Sequence, residues 1–122
     1  MQKVLALIAH DKRKKDLLEF CARHQSRLMR LSLIATANTG AQIAQASGLP
    51  VECVKSKRTG GDLQIAARVA GGEINGVILL CDPDQGPMHD PAVGPLLRVC
   101  DMNDVLIALN LATADLLIRA LV

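Results

Sequence analysis

The sequence predicts an α/β fold, a single-domain three-layer αβα sandwich built on a five-stranded parallel sheet and occupying all 122 residues. Three observations carry that expectation. Apolar strand-like stretches alternate with segments of helical period five times along the chain. Four of those stretches run directly into clusters of small and polar residues, the pattern of strand ends that feed helices. Between them nothing resembles a linker, a repeat or a low-complexity tract, and the length fits one domain that buries roughly two thirds of its unfolded surface.

The elements follow in order. Val4 to Ala9 reads as the first strand and ends at His10-Asp11. A helix follows, with Asp11 as its expected N-cap and Leu17, Leu18, Cys21 and Leu28 as one apolar stripe. Leu31 to Ala35 is the second strand, and the polar segment Thr36-Ala37-Asn38-Thr39 leads to a helix expected from about Gly40 until Gly48 and Pro50 stop it. Val51 to Val54 is the third strand; beyond the cluster Ser56 through Asp62 a helix starts after Asp62, with Leu63, Ile65, Ala66, Val69 and Ala70 inward and Gly71-Gly72 closing it. Val77 to Leu80 is the fourth strand, followed by Asp82-Pro83 and His89-Asp90-Pro91. A helix from Pro91 to about Cys100 comes next, its first turn delayed by Gly94-Pro95. Val105 to Leu109 is the fifth strand, and Thr113 to Leu121 is a last helix capped by Thr113 or Ala112.

Composition excludes several classes. A formal charge of +2 and a basic run, Lys12 to Lys15, flanked by Asp11 and Asp16 argue against nucleic-acid and membrane partners. With Phe20 as the only Phe, Trp or Tyr there is no platform on which bases could stack. No apolar run approaches the ~18 residues of a membrane helix. The four cysteines are far apart, with no C-x-x-C pair, and the chain opens onto a strand without a leader, so the expected setting is the reducing cytoplasm. No ligand spacing proposes a metal. His24 stands apart from every cluster and is expected to be exposed.

In a parallel α/β sheet, ligands bind beyond the carboxyl ends of the strands, so the four clusters should converge. Thr36 to Gly40 offers backbone N–H groups, hydroxyls and an amide at a helix N-terminus, which favours an anion or simply a helix cap. Lys14, one turn into the first helix, and Ser56, Lys57 and Arg58 add donors and charge on the same edge. Asp62 is the most notable carboxylate, since Gly60-Gly61 before it permits close backbone approach; an N-cap is the plainer role for it. His89 could act as an acid or base near neutral pH.

In order and at family spacing, I-A-H-D with Lys14, A-T-x-x-T-G, G-G-D-x-Q, a D-P before P-x-H-D-P, L-L-R-V-C and N-L-A-T-A resemble the methylglyoxal synthase family over essentially the whole chain. The resemblance implies conversion of dihydroxyacetone phosphate to methylglyoxal and inorganic phosphate, without metal or organic cofactor. It implies a homo-oligomer, commonly a hexamer, with phosphate as product and regulator. Asp62 falls on the family's base and His89 on the residue that touches the substrate's oxygens. His10, Lys14, Thr36, Ala37, Asn38, Thr39, Ser56 and Lys57 fall on substrate and phosphate contacts. Asp11 and Asp82 fall on acidic positions around the reacting centre.

The chain departs from the family where phosphate should bind. It has Ala37-Asn38 where the family usually reads Gly-Thr, and Lys57-Arg58-Thr59 within the S-G-P-x-G-G-D pattern. Ala37 would be strained if its φ were positive. The two added cations could tighten phosphate binding, plug the pocket or admit a larger anion. Ala92 stands where another acidic residue often follows, and Arg119 is the one candidate to replace a basic residue that some members carry on a longer tail. The alternative function is a non-catalytic domain of the same fold that binds a phosphate-bearing or nucleotide effector.

Overall fold

The computed structural model describes residues 2–85 and 90–122. His89 therefore lies outside the described residues, as do Met1, Gly86, Pro87 and Met88. Five strands, β1 (Val4–Ala9), β2 (Ser32–Ala35), β3 (Val51–Cys53), β4 (Gly76–Leu80) and β5 (Leu106–Ala108), form one parallel sheet in the order β3-β2-β1-β4-β5. The described helices are α1 (Lys14–Arg23), α2 (Gln25–Leu28), α3 (Ala37–Ser47), α4 (Gly61–Ala70), α5 (Val93–Met102) and α6 (Leu111–Leu121). The expected sandwich is present.

Side-chain alternation along β1 divides the core. Leu5, Leu7 and Ala9 face one layer with Leu17, Phe20 and Cys21 of α1, Leu28 of α2, Ile43 of α3 and Leu117 and Ile118 of α6. Ala6 and Ile8 face the other, with Ile65, Ala66 and Val69 of α4 and Val93, Leu96 and Cys100 of α5. Both faces of β1 and β4 are buried, which explains why these strands read as continuous apolar runs. The strand order reverses between β1 and β4, so the crevice of the fold opens where those two strands end.

Several boundaries differ from the sequence reading, each for a local reason. The first helix is two: the backbone leaves helical geometry at His24, and α2 restarts before Leu28. Asp11 does not cap it, because Asp11–Arg13 forms a separate 3-10 turn and α1 begins at Lys14. Helix α3 starts three residues earlier than expected, since Thr36 is extended, with φ −65° and ψ 155°, and stands at the N-cap. The segment Ala37-Asn38-Thr39 is thus the first turn of the helix rather than a loop before it. Ala37 has an ordinary helical backbone, so the strain of a positive φ does not arise there. Gly48 ends α3 in the left-handed region at φ 73°. Helix α5 begins at Val93, which places Pro95 in the first turn, where its missing N–H has no intrahelical partner to lose.

The cap of α6 is Asn110, not Thr113 or Ala112: its Oδ1 accepts the backbone N–H of Thr113 at 2.9 Å. We expect Asn110→Ala to cost about 1 kcal/mol, read as a modest fall in melting temperature by circular dichroism. An unchanged midpoint would show that the cap is dispensable.

Candidate active site

The clusters after β1, β2, β3 and β4 meet in one cleft of about 590 Å³. His10, Asp11, Lys12 and Lys14 come from the end of β1 and the turn beyond it, and Thr36, Asn38 and Thr39 from the start of α3. Ser56, Lys57 and Arg58 come from the segment after β3, and Asp82 and Asp90 from the segment after β4. Of the residues singled out in the sequence, Ala37 and Asp62 do not line this cleft, and His89 is outside the described residues.

The N-terminus of α3 forms one wall. Its first-turn N–H groups have no carbonyl four residues back within the helix, and the helix dipole adds partial positive charge there. Thr36 and Thr39 are buried, yet both contribute to the cleft surface. Lys14 approaches from α1, with its Nζ 3.2 Å from Oδ1 of Asp11, whose side chain is almost fully exposed. Asp11 therefore moderates the Lys14 charge at the rim. This wall suits a phosphate-sized anion.

Ser56 through Gly61 folds into a compact turn. The Ser56 carbonyl accepts the N–H groups of Thr59 at 3.1 Å and Gly61 at 2.9 Å, and the Ser56 and Thr59 hydroxyls lie 3.0 Å apart. Gly60 has φ 101°, a left-handed conformation that favours glycine. Gly61 has a different requirement: a Cβ there would lie 1.8 Å from the Lys55 carbonyl oxygen. The two glycines thus let the turn close against the start of α4, which carries Asp62.

Asp62 is 7 % exposed and sits in the first turn of α4, with Gly60 as the N-cap. Its Oδ1 accepts the N–H of Leu63 at 3.0 Å, so it favours the helix end without occupying the expected cap position. Asp62 borders a small cavity whose walls also include Lys57 and Asp90, both of which line the main cleft. The carboxylate therefore adjoins the cleft from behind that pair.

His10 and Asp82 flank the reversal of strand order. The Asp82 backbone N–H donates to His10 Nδ1 at 2.8 Å, and His10 Nε2 lies 2.9 Å from Asp90 Oδ2. With Nδ1 an acceptor, Nε2 carries the proton and donates to the carboxylate. Asp82 is buried; its Oδ1 accepts the Asp84 N–H at 2.9 Å, and its Oδ2 lies 3.8 Å from Lys12 Nζ. Asp90 Oδ2 also pairs with the Lys57 ammonium, and Oδ1 accepts the Ala92 N–H at 3.0 Å. Burial alone would raise the Asp90 pKa; the Lys57 hydrogen bond, the Ala92 N–H and His10 together outweigh it and hold the group below its ordinary value.

Three supporting residues escape the sequence reading. Gln64 Oε1 accepts the Lys55 N–H at 2.8 Å and so anchors the entry to the Ser56 turn; its place in G-G-D-x-Q is the available signal. Arg13, part of a basic run that reads as solvated, is mostly buried and donates to the Cys81 carbonyl at 3.2 Å and to Asp16 at 2.9 Å. Asp90 is visible in the sequence only as a neighbour of His89. His24, expected to be exposed, instead packs against the Phe20 ring at a centroid distance of 4.5 Å and lies 3.2 Å from Asp115. Arg119 pairs with Asp115 on its own helix at 2.9 Å.

Among the described residues, no three His, Cys, Asp or Glu side chains gather as a metal site would require. None of the four thiols lines the cleft. Burial pushes Cys21 up to about 12 and Cys100 up to about 11, and it raises Cys81 as well. Cys53 alone is exposed. A disulfide reagent at neutral pH should therefore modify at most one thiol of four, Cys53, rapidly in the folded protein, with the others following only on unfolding. Rapid reaction of two or more would contradict this packing.

No helix of the described residues is long and apolar enough to cross a membrane. A family model described as the MGS-like domain matches residues 16–109. The chain is 50% identical over 116 residues to a methylglyoxal synthase of Thermus thermophilus, covering 95% of this chain and 92% of that protein. It is 45% identical over 114 residues to a methylglyoxal synthase of Cupriavidus metallidurans, covering 93% and 81%. The crystal structure of methylglyoxal synthase from Elizabethkingia anophelis superposes with a TM-score of 0.88 at 36% identity, covering 96% of this chain and 77% of that one. With that family model over most of its length and relatives of this identity covered almost end to end, this chain belongs to the methylglyoxal synthase family.

Proposed function

We propose that this protein is a methylglyoxal synthase, a carbon-oxygen lyase that converts dihydroxyacetone phosphate to methylglyoxal and inorganic phosphate. The observation that carries the reading is a buried carboxylate, Asp62, adjoining a cleft walled by a helix N-terminus, Lys14 and Lys57. Substrate phosphate would sit against Thr36, Asn38 and Thr39 with Lys14 and Ser56, leaving the three-carbon part to reach toward Asp62.

Asp62 removes a proton from the carbon that bears the hydroxyl, next to the ketone, and the electron pair forms an enediolate. Hydrogen-bond donors stabilise the developing oxygen charge, a role the resemblance gives to His89. The hydroxyl on the deprotonated carbon then gives its proton to the neighbouring oxygen and becomes the aldehyde carbonyl, the enediolate double bond shifts to the next carbon pair, and the bond from carbon to phosphate oxygen breaks. The departing phosphate leaves on the cationic wall, and the remaining enol loses its O–H proton and gains one on carbon to become methylglyoxal. Asp11 and Asp82 set the charge around this centre through Lys14 and Lys12.

The same reading makes the protein cytoplasmic, where phosphorylated metabolites reside, and a homohexamer. Exposed Met102, Leu106 and Leu116 on α5, β5 and α6 are apolar surface that favours self-association. Incubation with dihydroxyacetone phosphate should release methylglyoxal and phosphate in equal amounts. Release no faster than from substrate alone would overturn the assignment.

A further inference from the structure

The Asp90 carboxylate joins two groups that arrive from different strands. His10 comes from the end of β1 and Lys57 from the turn after β3, and both end on the same oxygen, Oδ2. Its other oxygen is held by the Ala92 N–H, so the carboxylate cannot rotate freely. Both partners line the cleft. Lys57 also stands at a position where the resemblance noted from the sequence implies glycine, so the pairing uses a side chain that pattern does not call for.

We propose that Asp90 is a positioning residue: it accepts the Nε2–H of the His10 tautomer that the Asp82 N–H requires, so orienting the ring, and holds the Lys57 ammonium in the cleft as an added contact for the anionic substrate. The His10 ring is locked from both ends, by the Asp82 N–H at Nδ1 and by Asp90 at Nε2. Lys57 has three N–H donors, so one can remain on Asp90 while the others turn to a ligand. Asparagine is nearly the same shape as aspartate but cannot replace it. If its oxygen keeps the Ala92 N–H, its NH2 faces two other donors; if it flips, it opposes the Ala92 N–H instead. One of these contacts must be lost, and the Lys57 charge partner goes in either case.

The inference rests on the synthase reading for its kinetic arm, whereas a second arm is independent of activity. In that arm, nitrogen NMR of the ring, assigned through the three histidines, should show His10 protonated at Nε2 in the parent protein and a changed pattern in Asp90→Asn. In the kinetic arm, Asp90→Asn should lower kcat/KM about tenfold or more, as misplacing substrate-positioning groups does. Lys57→Met should raise KM with little effect on kcat, and leave the His10 pattern intact. Because Asp90 acts partly through Lys57, its substitution should cost less in the Lys57→Met background than alone. An unchanged His10 pattern in Asp90→Asn, or independent effects of the two substitutions, would overturn the proposal. If Asp90→Asn does not fold, an unchanged KM in Lys57→Met overturns it on its own. A parent protein that makes no methylglyoxal defeats the synthase reading instead, and the NMR arm then decides the role of Asp90.

Discussion

Asp62→Asn should reduce methylglyoxal release by about 10²- to 10⁴-fold, the range that a positioned general base contributes. The substitution keeps the shape of the side chain, and an amide oxygen can still accept the Leu63 N–H that Asp62 accepts at 3.0 Å. It removes the negative charge from the first turn of α4, a loss of roughly 0.3–1 kcal/mol. The variant should therefore fold and melt within a few degrees of the parent while losing the capacity to take a proton from carbon. The decisive measurement is paired: methylglyoxal and phosphate release from dihydroxyacetone phosphate, beside a thermal melt of the same preparation. Full activity in a folded variant would remove Asp62 from the chemistry and move attention to Asp82 or Asp90.

The largest structural effect is expected at Gly61. An added Cβ would meet the Lys55 carbonyl oxygen at 1.8 Å, the Lys55 carbonyl carbon at 2.7 Å and the Ser56 oxygen at 3.0 Å. These are backbone atoms, and none can swing aside as a side chain would. The Lys55 N–H is also tied to Gln64, and the Ser56 carbonyl already holds Gly61 and Thr59. Relief must come from moving the whole turn away from α4. Gly61→Ala should cost about 3 kcal/mol or more, the upper part of the range for overpacking, and should lower activity because Ser56, Lys57 and Asp62 all shift with the turn. Gly60→Ala is the control: space is open there, and only its φ of 101° opposes a side chain, so a loss of roughly 1–2 kcal/mol is expected. Denaturant unfolding of both variants checks the order. A Gly61→Ala protein as stable as the parent would mean that the close approach is not maintained.

The functional residues are legible where local chemistry repeats. Strand ends rich in Thr, Ser, Asp and His mark a parallel sheet's ligand edge, and the structure brings His10, Lys14, Thr36, Thr39, Ser56 and Lys57 to one cleft. The Asn110 cap and the start of α3 differ from expectation because several small polar residues in succession could each cap a helix. Only backbone geometry distinguishes among them. Arg13 and His24 differ for a related reason: both sit in polar sequence, but long-range contacts with Cys81 and Asp115 bury much of each side chain.

By itself, the sequence determined the class of fold and which strand ends carry chemistry, because burial periodicity and turn composition are local properties of the chain. Tertiary structure alone decided that His10 and Lys57, far apart in the chain, would share one oxygen of Asp90, and that Gly61 must be bare to pass the Lys55 carbonyl. Those are contacts between segments brought together by strand order, and no local pattern encodes the distance between them.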